Sequence, residues 1–178
     1  MGQSEDIIHL LRHKRHDWMN HLQLVQGYAA MGKQDEVVDK VKSLIAEAEQ
    51  ERKLLNANAP HFTLWLLSFN WYHDNYRLSY TVDKDGFSGE RYDLSLLARS
   101  KRVLSVLLDH SDPDVLYEGD IYISGGAKEE TPPLLEWRIT GSYKDEAALK
   151  RDLLQETFIT DVQMENTKQS VIIKAKMR

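Results

Sequence analysis

The apolar positions Ile7, Leu11, Trp18, Leu22, Val25 and Ala29 recur at helical intervals. At about 100° of rotation per residue they form one stripe of an α-helix. His9, His13, His16 and Asn20 fall on the opposite, polar side. Gly32 interrupts the pattern. Val37, Val38, Val41, Leu44, Ile45, Ala48 and Leu55 then resume it up to residues 56–60, so the chain is expected to open with a helical hairpin. Two helices with one apolar stripe each cannot enclose a core. Either two copies pair into a four-helix bundle, or the hairpin packs on the remainder of its own chain.

From Pro60 onwards the periods become mixed, which predicts an α+β domain. Helical spacing is expected over 62–72, 94–108 and 146–154. Strands are expected over 78–82, 121–124 and 135–140, with 158–164 and 171–175 as a closing hairpin. Gly125-Gly126 reads as a turn between strands. The predicted organisation is a hairpin over residues 1–57 and an α+β domain over 58–178, joined by a short connection rather than a flexible linker.

Composition narrows the function classes. The 178 residues carry 28 acidic and 23 basic side chains, a formal net charge of -5, which argues against a general nucleic-acid binder. Cysteine is absent. That removes disulfides, a thiolate nucleophile and cysteine-ligated zinc, and suits a reducing cytoplasm. No signal peptide is read, and the most apolar run, 62–71, is interrupted by Ser68 and Asn70 and too short to span a bilayer. A soluble, cytoplasmic protein is expected.

The candidate chemistry sits on the polar side of the first helix, in RHKRHDWMNHLQLVQG from Arg12 to Gly27. His16 points about 160° away from Trp18 and is expected in water. Many surface histidines do nothing, but an imidazole can attack phosphorus without the activation a serine needs. Asp17 and Asn20 are positioned to hold its tautomer. Arg12, one turn earlier, and the flanking Lys14 and Arg15 supply positive charge where a transferring phosphoryl group accumulates negative charge.

His16-Asp17-Trp18-Met19-Asn20, followed by Leu22-Gln23-Leu24 and Gly27 and later by Pro60-His61 and Ser68-Phe69-Asn70-Trp71, resembles the sporulation-initiation phosphotransferases of endospore-forming bacteria, which are related to histidine kinases. The resemblance implies a homodimeric four-helix bundle followed by a domain like the ATP-binding domain of sensor kinases. Where such kinases carry the asparagines that hold magnesium and triphosphate, residues 103–111 read VLSVLLDHS, with Val106 and His110 among the replacements. Thr140-Gly141-Ser142-Tyr143 stands where an Asp-x-Gly-x-Gly box is expected, without its carboxylate. No nucleotide, other cofactor or metal is therefore expected on this chain, and no autokinase activity.

The implied donor is then a phosphoaspartate on a response-regulator receiver domain, and the implied acceptor the aspartate of a second receiver. Magnesium belongs to the receivers. In this reading His16 carries the phosphoryl group, Asp17 controls the tautomer, and Arg12 and Asn20 belong to the docking surface. Two other classes compete. A stripe of His9, His13 and His16 could bind zinc, although no HExxH pattern is present and Arg12, Lys14 and Arg15 would repel a dication. A degenerate, non-catalytic dimeric scaffold would share the fold and the receiver partners. Phe62, Trp65, Phe69 and Trp71 read as a packed helix face, and Asp145 and Glu146 as a helix N-terminus. Glu129 and Glu130 read as a solvated loop. No role is assigned to His21, His61, His73 or His110.

Overall fold

The computed structural model describes residues 3–83, 87–126, 131–165 and 169–176, with side chains from Ile8 onwards. Ile7, Glu129 and Glu130 lie outside the described side chains. The chain divides into two compact units, 1–49 and 50–178.

The first unit holds α1 (Gln3–Ala30) and most of α2 (Gln34–Leu55). The connection is dictated by Gly32, whose φ of 69° is a left-handed conformation that costs glycine little. Gly32 N–H donates to Ala29 O and Lys33 N–H to Tyr28 O, at 3.0 Å each. These two bonds close the end of α1 as a Schellman motif. Asp35 and Glu36 in the first turn of α2, and Arg52 and Lys53 in its last, complement the helix dipole. No described side chain of this unit is buried: Leu11, Trp18 and Leu22 of the predicted stripe are 62%, 57% and 51% exposed.

The division falls inside α2, earlier than residues 56–60, because the last turns of the helix are tied into the second unit. Leu54 is buried there, and its carbonyl accepts the Thr63 hydroxyl at 3.3 Å. The second unit continues with α3 (Pro60–Tyr72), β1 (Tyr76–Val82), α4 (Asp93–His110), β2 (Tyr117–Ser124), β3 (Leu134–Thr140), α5 (Glu146–Leu154), β4 (Ile159–Glu165) and β5 (Ser170–Lys176). The five strands form one mixed sheet in the order β1-β2-β3-β5-β4. β1 and β2 are parallel, connected through α4, and every other neighbour is antiparallel.

Alternation along the strands selects one face for the core. Leu135, Trp137 and Ile139 of β3 are fully buried, as are Tyr117, Ile121 and Ile123 of β2 and Val171, Ile173 and Ala175 of β5. Gly119 lies between Leu78 and Ile139 in register. A methyl group there would collide with the Ile139 side chain and the Arg138 carbonyl and crowd Leu78, so glycine lets the two side chains meet across the strand. Phe62 and Phe69 are buried on α3, and Trp65 packs edge-on to Phe69 at 5.5 Å and 6.2 Å from Trp137, ring centre to ring centre. The aromatic face expected of this helix is therefore core, with Trp71 half-buried beside it.

The start of α3 is held from another helix. Ala59, at its N-cap, offers no side-chain acceptor. Asp93, from the first turn of α4, accepts Phe62 N–H at 2.8 Å and His61 N–H at 3.1 Å, and meets His61 Nδ1 at 2.8 Å. A carboxylate there satisfies orphan N–H groups and the helix dipole together. Burial alone would raise the Asp93 carboxyl, but the bonds from Phe62 and His61 outweigh it and hold the group below its ordinary value. Asp145 caps α5 as expected, accepting Ala148 N–H at 2.8 Å. No helix among the described residues is long and apolar enough to cross a membrane.

Candidate functional site

His16 lies in the interior of α1, on the helix side that the periodicity assigns to water, and its side chain is 73% exposed. Asn20, one turn on, places its amide Nδ2 3.2 Å from His16 Nδ1. Asp17 Oδ1 lies 3.5 Å from the same nitrogen. Both neighbours of the sequence motif thus converge on Nδ1, and Asn20 acts on the ring itself rather than only on the surrounding surface.

The two partners bias the tautomer. With the Asn20 amide nitrogen toward the ring, Nδ1 must accept and the proton sits on Nε2. With the amide turned over, which leaves its shape unchanged, Nδ1–H donates to the Asn20 oxygen and Nε2 carries the lone pair. The carboxylate of Asp17 beside Nδ1 favours a proton there, as only that arrangement gives its charge an N–H to face. The second arrangement leaves Nε2 as the nucleophilic nitrogen. Arg12 and Arg15 are exposed and Lys14 is half-buried, so the imidazole stands in a locally basic stretch.

The rings of His9 and His13 stand 6.2 Å apart, centre to centre. Among the described residues, no three His, Cys, Asp or Glu side chains are grouped to hold a metal ion. The histidines left without a role divide. His61 braces Asp93, and His110 Nε2 meets Asp152 Oδ2 at 3.0 Å, joining the end of α4 to α5. That contact, with help from Arg151, holds the Asp152 carboxyl below its ordinary value. His73 lies 4.3 Å from the Phe69 ring, and burial pulls its imidazole below the ordinary value. His21 is half-buried on α1.

Residues 103–111 and 140–143, which the sequence comparison set against nucleotide boxes, contribute packed side chains here. Val106 is buried in α4. Beyond that helix, Tyr76, Tyr117 and Tyr143 stack in series, with ring centres 4.8 and 4.9 Å apart. Tyr76 Oη meets Ser111 Oγ at 2.6 Å, and Tyr117 Oη donates to Ser142 O at 2.7 Å while accepting Asp112 N–H at 2.9 Å. Burial drives the Tyr143 and Tyr76 hydroxyls upward, so both stay neutral. Gly141, with φ of 156°, lies flush against the Tyr117 ring, where a Cβ would collide. The end of β3 and the end of α4 are thereby joined by a packed aromatic cluster. Nothing in the spacing of these tyrosines pointed to it, because the three come from β1, β2 and the loop after β3.

Residues 1–57 match the family model described as Sensor_kinase_SpoOB-type, alpha-helical domain. Over 112 residues the chain is 38% identical to Sporulation initiation phosphotransferase B of Bacillus subtilis (strain 168). The helical region, residues 1–57, is thus similar to the SpoOB-type helical domain. The aligned region takes in 61% of this chain and 56% of that relative, so the match spans about half the relative's length. The family match contains all of α1 and α2, and with them His16, Asp17, Asn20 and Arg12.

Proposed function

We propose that this chain is a phosphorelay phosphotransferase that takes a phosphoryl group from the phosphoaspartate of one response regulator onto His16 and passes it to the aspartate of a second, controlling the initiation of sporulation in the cytoplasm. The observation that carries the reading is the exposed His16 imidazole with Nδ1 engaged by Asp17 and Asn20, in a chain similar to a sporulation phosphotransferase.

In the first step the Nε2 lone pair attacks phosphorus in line. The bond from phosphorus to the donor carboxylate oxygen breaks and the carboxylate leaves. The ring becomes a phosphorylated imidazolium whose Nδ1 proton stays in place, facing Asp17. The acceptor aspartate then attacks phosphorus, the N–P bond breaks, and the neutral imidazole is restored without any net proton transfer. Positioning and charge neutralisation dominate such a transfer. Arg12 and the neighbouring basic residues belong to the surface that receives the anionic donor, whose own domain brings the magnesium.

A second copy completes the helical unit in this reading. The exposure of Leu11, Trp18 and Leu22 on α1 and of Val38, Val41 and Ile45 on α2 supports pairing into a four-helix bundle, since these side chains otherwise stand in water. The second unit corresponds to a kinase ATP-binding domain that has lost its nucleotide site. The buried Val106 and the tyrosine cluster support that loss, and phosphoryl groups arrive from receivers rather than from ATP.

The test is ATP-free transfer from a radiolabelled, phosphorylated receiver. Acid-labile, alkali-stable label on the wild type and none on His16→Ala is the expected result. The competing scaffold reading predicts label on neither protein with receiver binding retained by both, and that outcome would replace the transferase reading.

A further inference from the structure

Among the described residues β1 ends the sheet, with β2 on one side and no strand on the other. The backbone alternates between these sides. Asn75 O accepts Tyr117 N–H at 2.8 Å and Asp83 N–H donates to Ile123 O at 2.9 Å, so odd-numbered residues face β2 and Tyr76, Leu78, Tyr80 and Val82 face outward. An edge strand of this kind is a template for another extended chain.

The outward groups are met by side chains. Asn70, from α3, donates Nδ2 to Leu78 O at 2.9 Å and accepts Leu78 N–H on Oδ1 at 2.8 Å. One carboxamide thus makes the pair of bonds that a residue of an antiparallel partner strand would make. At Val82, Gln50 Oε1 accepts the N–H at 2.8 Å and Lys53 Nζ donates to the carbonyl at 3.3 Å, both from the end of α2. Arg77 Nη1 donates to Tyr76 O at 2.8 Å. Five outward backbone groups on three of the four outward residues are satisfied in this way.

We propose that Asn70, Gln50 and Lys53 form a side-chain substitute for a partner strand that closes the β1 edge, and that the surface they cover is a latent strand-addition site for β1 of a second copy of this chain. A second copy is the occupant because it carries a matching seven-residue strand whose own outward groups would be freed by the same loss. The seal keeps self-association away from the sheet. It also gives Asn70, within the Ser68-Phe69-Asn70-Trp71 signature, a task that the phosphoryl chemistry does not use.

Because the chain contains no cysteine, a single Ser79→Cys at the midpoint of β1 reports edge-to-edge pairing by disulfide formation between copies. Ser79→Cys alone should remain unlinked under mild oxidation. Adding Asn70→Leu, or Gln50→Leu with Lys53→Met, should raise cross-linking at least tenfold and give a concentration-dependent heavier species in light scattering. The second pair leaves Asn70 and the core intact, so it serves if Asn70→Leu does not fold. In the unaltered chain, the Leu78 and Val82 amides should exchange with solvent deuterium as slowly as the β1 amides that face β2. Folded variants that cross-link no faster than Ser79→Cys alone, or Leu78 and Val82 amides that exchange at unprotected rates, would overturn the proposal.

Discussion

The two units of this chain treat the same hydrophobic residue types in opposite ways. In residues 50–178 leucine, isoleucine, valine and the aromatics close a core in which Trp137, Phe62, Leu96 and Ile123 have no contact with water. In residues 1–49 the stripe is equally regular, yet no described side chain is buried. A sheet covered by helices has an inner face that its own chain can close, whereas two helices have stripes that the pair alone cannot close. Regular periodicity therefore specifies which side chains seek burial, without saying whether one chain suffices to bury them.

Core truncation should separate the units most sharply. Trp137→Ala is expected to destabilise the second unit by about 3–5 kcal/mol, with a transition midpoint in denaturant that does not depend on protein concentration. Leu22→Ala should leave that transition in place and instead weaken the proposed dimer by roughly 2 kcal/mol or more, read as a shift in the dissociation constant by analytical ultracentrifugation. A Leu22→Ala protein that dimerises as well as wild type would break the contrast and return the stripe to a purely local role.

A smaller effect concerns the cross-cap of α3. Asp93→Ala should cost about 1–2 kcal/mol, in the range of a lost N-cap, measured by chemical denaturation near neutral pH. The Asp93 carboxyl is held below its ordinary value in the folded chain, so its stabilisation is fully present above the unfolded carboxylate range near ~3.9. It disappears as pH falls through the lower, folded value. Wild type and Asp93→Ala should accordingly converge in stability toward acid pH, and parallel curves would contradict the assignment. The smallest expected change is at the site: Asn20→Ala should slow labelling of His16 by about tenfold, equivalent to ~1.4 kcal/mol of barrier, with receiver affinity little altered. An affinity loss at an unchanged labelling rate would return Asn20 to the docking surface.

Much of this was legible in the sequence where neighbours along the chain decide the outcome. Helix α5 runs over the expected residues, and β4 and β5 pair as the expected closing hairpin. The helix break at Gly32 and the exposure of His16 follow from local spacing alone. β2 begins earlier than expected, at Tyr117, because Glu118, Gly119 and Asp120 interrupt its apolar alternation while pairing with both β1 and β3 holds them extended. Gly125 and Gly126 both have positive φ where β2 leads toward its antiparallel neighbour β3. Other features were beyond the reach of spacing. Asp93 lay just before the expected helix over 94–108 and drew no reading, and Asn70 read as an interruption in an apolar run. Each acts on a backbone that only folding brings near, as does Tyr117 of the cluster.

The relay is tested most directly by isolating the labelled protein after transfer from the first receiver, adding a second, unphosphorylated receiver with magnesium but no ATP, and following the label. Label should leave His16 and appear on the second receiver in acid-stable, alkali-labile form, and none should reach that receiver through His16→Ala. Label that stays on the protein, or that reaches the second receiver equally well through His16→Ala, would contradict it.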